Sequence, residues 1–131
     1  MKREKVFNHL KIIKMFIQLK HKSLNVYQVI RELVKETYKI SLQLPSEEKF
    51  NMVQQIRRAA LSVKLNLAEG STRKSIIERK RYLEISRGSL VEIDAALETA
   101  IDLNYFKTEN LEPIGILLNR CFAMLSKMIN S

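Results

Sequence analysis

Apolar residues recur at every third or fourth position through most of this chain, with polar residues between them. That period belongs to amphipathic helices, since strands alternate every second residue. A first helix is predicted over Leu24 to Leu44, with Ser23 or Asn25 as cap. Val26, Ile30, Leu33 or Val34, Thr37 and Tyr38 form its face, and Pro45 stops it. A second helix is predicted over Glu47 to Glu69, capped by Ser46, with Glu47 and Glu48 at its positive end. Its core stripe is Met52, Ile56, Ala59, Ala60, Val63 and Leu67. A third helix runs over Ile76 to Leu103, opened by a capping box of Ser75 and Glu78. Tyr82, Ile85, Ser89, Ile93, Ala96, Leu97 and Ala100 make its core face, and Ser86, Gly88 and Ser89 are small enough to let another helix approach. Asn104 ends it, and Tyr105-Phe106 packs under the turn. A fourth helix is predicted over Leu111 to Asn130, with Asn110 as cap and Pro113 in the first turn. Ile114, Leu117 or Leu118, Cys121, Leu125 and Met128 or Ile129 form its face. Short connections force antiparallel neighbours, so residues 23–131 read as an all-α, antiparallel up-and-down four-helix bundle.

The second helix carries more than a core stripe. Leu61, Leu65 and Ala68 form another apolar strip on a different side. One bundle helix needs one apolar face, so we read this strip as an oligomer contact; the alternative is a wider contact with its own core. Arg58, Ser62, Asn66 and Glu69 share a polar edge between the strips. Arg58 suits a carboxylate partner, Asn66 and Glu69 suit the following turn, and Gly70 suits a left-handed helix stop.

Composition agrees with helices: glycine and proline are scarce, at 3 and 2 residues of 131. Length allows one domain. Cys121 is the single cysteine, which excludes an intramolecular disulfide and fits a reducing cytoplasm. Its place on a core face fits an inert thiol. Net charge is +9, which points to a polyanion. Residues 1–22 form a basic amphipathic N-terminal extension of seven bases and one acid, with Val6, Leu10, Ile13 and Ile17 at helical spacing beside Phe16 and Leu19. Lys11 and Lys14 interrupt it, so it is too charged to span a membrane. Met15 offers another start.

The third helix has its charges reversed. Arg73, Lys74, Arg79, Lys80 and Arg81 crowd its positive end and Arg87 follows, while Glu92, Asp94, Glu98 and Asp102 crowd its negative end. Each misplaced charge costs ~0.3–1 kcal/mol when exposed. A compensating anion at the basic end, or the acidic half of a neighbouring subunit, explains the arrangement.

Catalytic patterns are missing. Both histidines, His9 and His21, lie in the extension, and no Glu-x-x-His pair, zinc set, Gly-rich phosphate loop or activated nucleophile is readable. Asp94, Glu98 and Asp102 share a face, which solvation explains better than a cation. The pattern argues against an enzyme and calls for no cofactor and no metal. Nor is there a helix-turn-helix signature or a base-stacking platform.

The order Gln55-Ile56-Arg57-Arg58-Ala59-Ala60, Ser62, Asn66-Leu67-Ala68-Glu69-Gly70, then Gly88-Ser89-Leu90 and Glu92, resembles the small four-helix proteins encoded within intervening sequences of bacterial 23S ribosomal RNA genes. The resemblance covers about Leu24 to Ile129 and not the extension. It implies a four-helix bundle and a homopentameric ring. It also brings in a relative, the accessory variability determinant of diversity-generating retroelements, which binds nucleic acid and a reverse transcriptase through a basic surface. This chain has Lys64 where the family commonly has proline, and Tyr27 where a tryptophan is frequent.

The leading expectation is a non-enzymatic, sequence-tolerant RNA or DNA binder. Arg57, Lys64, Arg73, Lys74, Arg79, Lys80, Arg81 and Arg87 would contact phosphates. Arg58, Ser62, Asn66, Glu69, Gly70 and Glu92 are assigned to structure, and Leu61, Leu65 and Ala68 to the oligomer interface. The alternative is an oligomeric adaptor for another protein, with its charges used between subunits. A membrane-surface role for the extension ranks third.

Overall fold

The computed structural model describes residues 17–131. The expected amphipathic stripe of the extension lies largely outside the described residues; Ile17 and Leu19 fall within them, are exposed and are not helical. A 3-10 turn, Lys20–Ser23, leads into four helices: α1 (Asn25–Ser41), α2 (Met52–Ser71), α3 (Ile76–Asp102) and α4 (Glu112–Ile129).

Residue pairs across the seams set the topology. Arg57 meets Ser41 and Lys64 meets Tyr27, so α1 and α2 run antiparallel. Ser62 meets Ser89 and Gly70 lies against Tyr82, so α2 and α3 do too. Arg87 reaches Ser126 while Ile101 and Leu111 line one groove, which orients α4 against α3. Helices α1 and α4 close the square. Ile30, Leu33, Ile56, Leu67, Ile93, Ile114 and Leu125 fill the centre. Each contributes about 1.5–3 kcal/mol by leaving water.

The α2 stripe is buried residue for residue as its spacing predicts. The open choices on α4 resolve to Leu118 and Ile129. On α1 the choice resolves to Leu33, and Tyr27, Val29, Ile40 and Ser41 join the face while Tyr38 is half-buried. The first half of α3 differs in register. Leu83, Ser86 and Leu90 are buried, whereas Ile85 is 43% exposed and Tyr82 half-buried. Two hydroxyls explain the shift. Ser86 donates to the Val63 carbonyl at 2.7 Å and Ser89 to the Ser62 hydroxyl at 2.7 Å, so α3 turns a polar but satisfied edge into the seam. Gly88 is exposed and has no atom near its missing side chain, so it is not part of that approach.

Helix ends also differ from expectation. Helix α1 begins at Asn25, with Leu24 as cap and no side-chain cap bond. Before α2, Ser46–Glu48 forms a 3-10 turn, and Ser46 does not cap the α-helix. The Glu48 carboxylate is instead buried, accepting from Tyr105 Oη at 2.9 Å and Asn51 Nδ2 at 3.1 Å. Before α4, Thr108–Leu111 is a second such turn, and the Asn110 side chain accepts from the Lys107 N–H at 2.9 Å rather than capping α4. Ser75 does cap α3, accepting from the Glu78 N–H. Asn104 ends α3 with φ of 63°, and the Tyr105 N–H reaches back to the Ala100 carbonyl at 2.9 Å. That bond and the one from Asn104 to Ile101 make a Schellman motif.

Gly70 is corrected. It is not left-handed, and α2 continues through it to Ser71. A side chain there would place its Cβ 2.9 Å from Tyr82 Cβ. Glycine is needed because α3 passes too closely, not because the chain turns.

Candidate nucleic-acid interface

The eight basic residues expected to meet phosphates occupy three places. Arg57 and Lys64 lie on the α1–α2 seam. Arg57 donates to Ser41 Oγ at 2.7 Å and stacks over Tyr38 at 4.9 Å. Lys64 lies 5.7 Å over the Tyr27 ring, which Arg31 also approaches at 5.9 Å. Arg87 lies on the α3–α4 seam, over Phe122 at 5.5 Å and donating to Ser126 Oγ at 3.0 Å. The remaining five surround the α2–α3 turn at one end of the bundle.

At that end two arginines hold the turn together. Arg73 donates to Glu69 at 3.0 Å and to Tyr82 Oη at 3.0 Å, with its guanidinium over the Tyr82 ring. Arg79 donates to the backbone carbonyls of Arg73 at 2.6 Å and Lys74 at 3.3 Å, where the turn leaves acceptors unpaired. Lys74 and Arg81 are exposed and Lys80 is half-exposed. None of the three meets a carboxylate among the described residues. Five of the eight bases therefore make contacts inside the subunit, while the Lys74, Lys80 and Arg81 side chains make no hydrogen bond or ion pair among the described residues.

The N-terminal turn adds cations that the sequence reading left out. Lys20 and His21 line a cavity of about 210 Å³ with Arg79, Gly70 and Ser71. Lys22 and Arg31 lie close enough to Lys64 to lower its pKa, after the larger effect of burial. Burial, then Lys22 and Lys64, lowers the pKa of His21. A histidine flanked by lysines before a predicted helix is a weak signal, and its burial against Tyr27, ring centroids 5.2 Å apart, follows only from packing.

The residues assigned to structure divide. Asn66 Nδ2 donates to the Ser62 carbonyl at 2.9 Å and its hydroxyl at 3.0 Å, and Ser62 accepts from Ser89 across the seam. Glu69 pairs with Arg73. Gln55 donates to Glu92 at 3.4 Å. Arg58 is exposed and meets no carboxylate among the described residues. On the outer side of α2, Leu65 is 58% exposed, Leu61 is 39% exposed and Ala68 is half-buried. Glu78 and Glu84 lie in the first half of α3, and Glu92, Asp94, Glu98 and Asp102 lie toward its other end. Asp94 and Glu98 border an apolar groove floored by Leu97, Ile101, Leu111 and Leu118, and among the described residues no three acids, histidines or cysteines gather as metal ligands.

Cys121 is fully buried on α4, and burial pushes its thiol up to about 12. Among the described residues no helix is long and apolar enough to cross a membrane.

Comparisons bear on this geometry. A family model described as 23S rRNA-intervening sequence protein matches residues 22–127. A crystal structure of a protein of unknown function from the S23 ribosomal protein family, from Bacteroides thetaiotaomicron, superposes with a TM-score of 0.74. It is 24% identical and covers 81% of this chain and 99% of its own, a likeness that shows the fold. No curated protein matches the sequence.

Proposed function

The chain belongs to the 23S rRNA-intervening sequence protein family, and on that premise we propose that it is a non-enzymatic oligomer that binds RNA or DNA through phosphates. The observation that carries this reading is the gathering of cations at one end of the bundle. Lys74, Lys80 and Arg81 lie on the α2–α3 turn and the first turns of α3, beside Lys20 and Arg79 at the cavity. Lys22, Lys64 and Arg31 extend the field along the α1–α2 seam, where burial first, and then Arg31 and Lys22, disfavour the charged form of Lys64. Exposed like charges such as Lys74 and Arg81 raise the local positive potential and favour an anion. The exposed strip of Leu61 and Leu65 supports assembly into a ring, a pentamer in this proposal, which multiplies the cationic ends.

Phosphate contacts are sequence-tolerant and sensitive to salt. The test is a salt titration of binding to a labelled structured RNA, with Lys74→Glu, Lys80→Glu and Arg81→Glu combined. These three are chosen because Arg73 and Arg79 also hold the turn. Loss of three contacts reduces the slope of log affinity against log salt by about 2–3, the lower figure for single-stranded and the higher for duplex segments. Absence of binding at low salt ends the proposal. A variant that binds normally but becomes monomeric shows that the charges join subunits.

A further inference from the structure

Two of the apolar surfaces that the described residues leave uncovered differ in shape. One is a ridge. Arg58, Leu61 and Leu65 stand at i, i+3 and i+7 on the outer side of α2, with Ala68 at the end of the same line. Leu61 and Leu65 are exposed there. The Arg58 side chain makes no hydrogen bond or ion pair among the described residues.

The other is a groove. Hollows of about 90, 220 and 680 Å³ run along the α3–α4 seam. Asp94 and Leu118 line both the first and the second, and Ile101, Leu111 and Gly115 line both the second and the third, so the three are continuous. Phe122 in the first and Ile116 in the third are exposed. Gly115 has no atom near its missing side chain, which keeps the middle open.

Length and charge match the ridge to the groove. At ~1.5 Å per residue the ridge rises about 15 Å from Arg58 to Ala68, and α3 carries the groove about 17 Å from Leu90 to Ile101. Asp94 and Glu98 line the middle hollow with no base beside them, whereas Arg120 accompanies Glu109 and Glu112 in the third. Neither the Asp94 nor the Glu98 carboxylate has a hydrogen bond or ion pair among the described residues. A ridge led by an unpaired arginine thus suits a groove edged by unpaired carboxylates. Like surfaces suit each other less. Groove against groove sets acids against acids, and ridge against ridge leaves Ile116 and Phe122 in water. Ridge in groove covers both apolar surfaces at once.

We propose that the α2 ridge of one copy of this chain docks in the α3–α4 groove of the next, with Leu61 and Leu65 on the groove floor and Arg58 at Asp94 and Glu98. The inference rests on the oligomer named in the proposed function and supplies its contact. Helices that lie in grooves use anchors at this spacing. Since ridge and groove are different surfaces, the contact is head to tail, and growth ends when a ring closes.

The experiment is light scattering of the full chain and its variants at one concentration, with circular dichroism to follow helix content. Leu65→Glu spoils the ridge and Ile116→Glu the groove, and both change exposed side chains. Each alone should fall to the mass of one copy. Mixed in equal amounts, they should form a two-copy complex, because the intact ridge of one fits the intact groove of the other. Gly115→Gln repeats the groove arm with a side chain for which the subunit has room, should Ile116→Glu lose helix. Arg58→Glu should weaken assembly about tenfold, and Glu98→Arg in the same chain should recover most of that loss. No recovery overturns the Arg58 pairing. Variants that fall apart alone and stay apart when mixed overturn the head-to-tail contact. Native mass in the groove variants overturns it too and leaves the oligomer reading standing on another surface. A native chain with the mass of one copy ends the oligomer reading and this contact together.

Discussion

Replacing Gly70 with alanine sets two effects of opposite sign against each other. Gly70 lies in the last turn of α2, so alanine gains there at most the about 0.8–1.0 kcal/mol by which it is favoured over glycine in a helix interior. The new methyl group, however, would lie 2.9 Å from Tyr82 Cβ and 3.4 Å from the Arg79 carbonyl oxygen. The nearer atom is the root of a side chain, so α3 itself must move. Moving it disturbs the Arg73–Tyr82 hydrogen bond and the Arg79 bonds to the turn. Overpacking of this kind costs about 1–3 kcal/mol, so at the middle of that range it outweighs the propensity gain by about 1 kcal/mol. For a domain of this size that lowers Tm by about 5 °C. Gly88→Ala is the matched control. Gly88 also lies inside a helix but has no atom within 4 Å of an added Cβ, so it should gain the propensity term and stabilise. The assay is urea and thermal unfolding by circular dichroism at one fixed protein concentration, since oligomers shift apparent stability by mass action. If Gly70→Ala raises Tm, the close approach of α2 and α3 is wrong. If Gly88→Ala destabilises, another subunit covers that face.

Other consequences follow from burial and exposure. His21 has its pKa lowered by burial and by Lys22 and Lys64. The unfolded chain therefore binds a proton that the folded chain refuses: this stabilisation is full above the unfolded pKa of about 6.5 and is lost as pH falls below it. Unfolding midpoints measured from pH 7.5 to 5.5 should fall more steeply for the unsubstituted chain than for His21→Gln. Cys121, with its thiol pushed up to about 12, should resist thiol reagents in the folded chain and react at once in denaturant. Fast labelling of the native chain would contradict its burial. Leu65→Glu changes a side chain already 58% exposed, so helix content should be kept. Light scattering should nonetheless report a smaller assembly, and an unchanged mass would place the subunit contact elsewhere.

The sequence displayed helices more clearly than their ends or their partners. The α2 stripe was legible because alanine, valine and leucine leave one solution at helical period. On α3, Ser89, Ile93, Leu97 and Ala100 were legible, whereas Leu83, Ser86 and Leu90 were not, because Ser86 looks polar until its acceptor on α2, the Val63 carbonyl, is known. Gly70 was seen but misread: sequence offers turn and close approach as reasons for glycine, and only the distance to Tyr82 separates them. The starts predicted at Glu47 and Leu111 are short 3-10 turns, in which acids and apolar residues follow nearly the same pattern as a first helical turn. At the basic end, charge was legible and availability was not. The residues beside Arg57 and Arg87 say nothing of the rings of Tyr38 and Phe122 that lie across a seam. His21 was passed over because its burial depends on helices far along the chain.

The most direct test of the cationic end is an amide chemical-shift map of the full chain titrated with RNA at low salt. The account predicts perturbations at Lys20 to Lys22 and from Lys74 to Arg81, diminishing as salt is raised. It predicts none along Asp94 to Asp102 beyond those caused by assembly. Perturbations confined to the groove between α3 and α4, or a spectrum that RNA does not change, would contradict it.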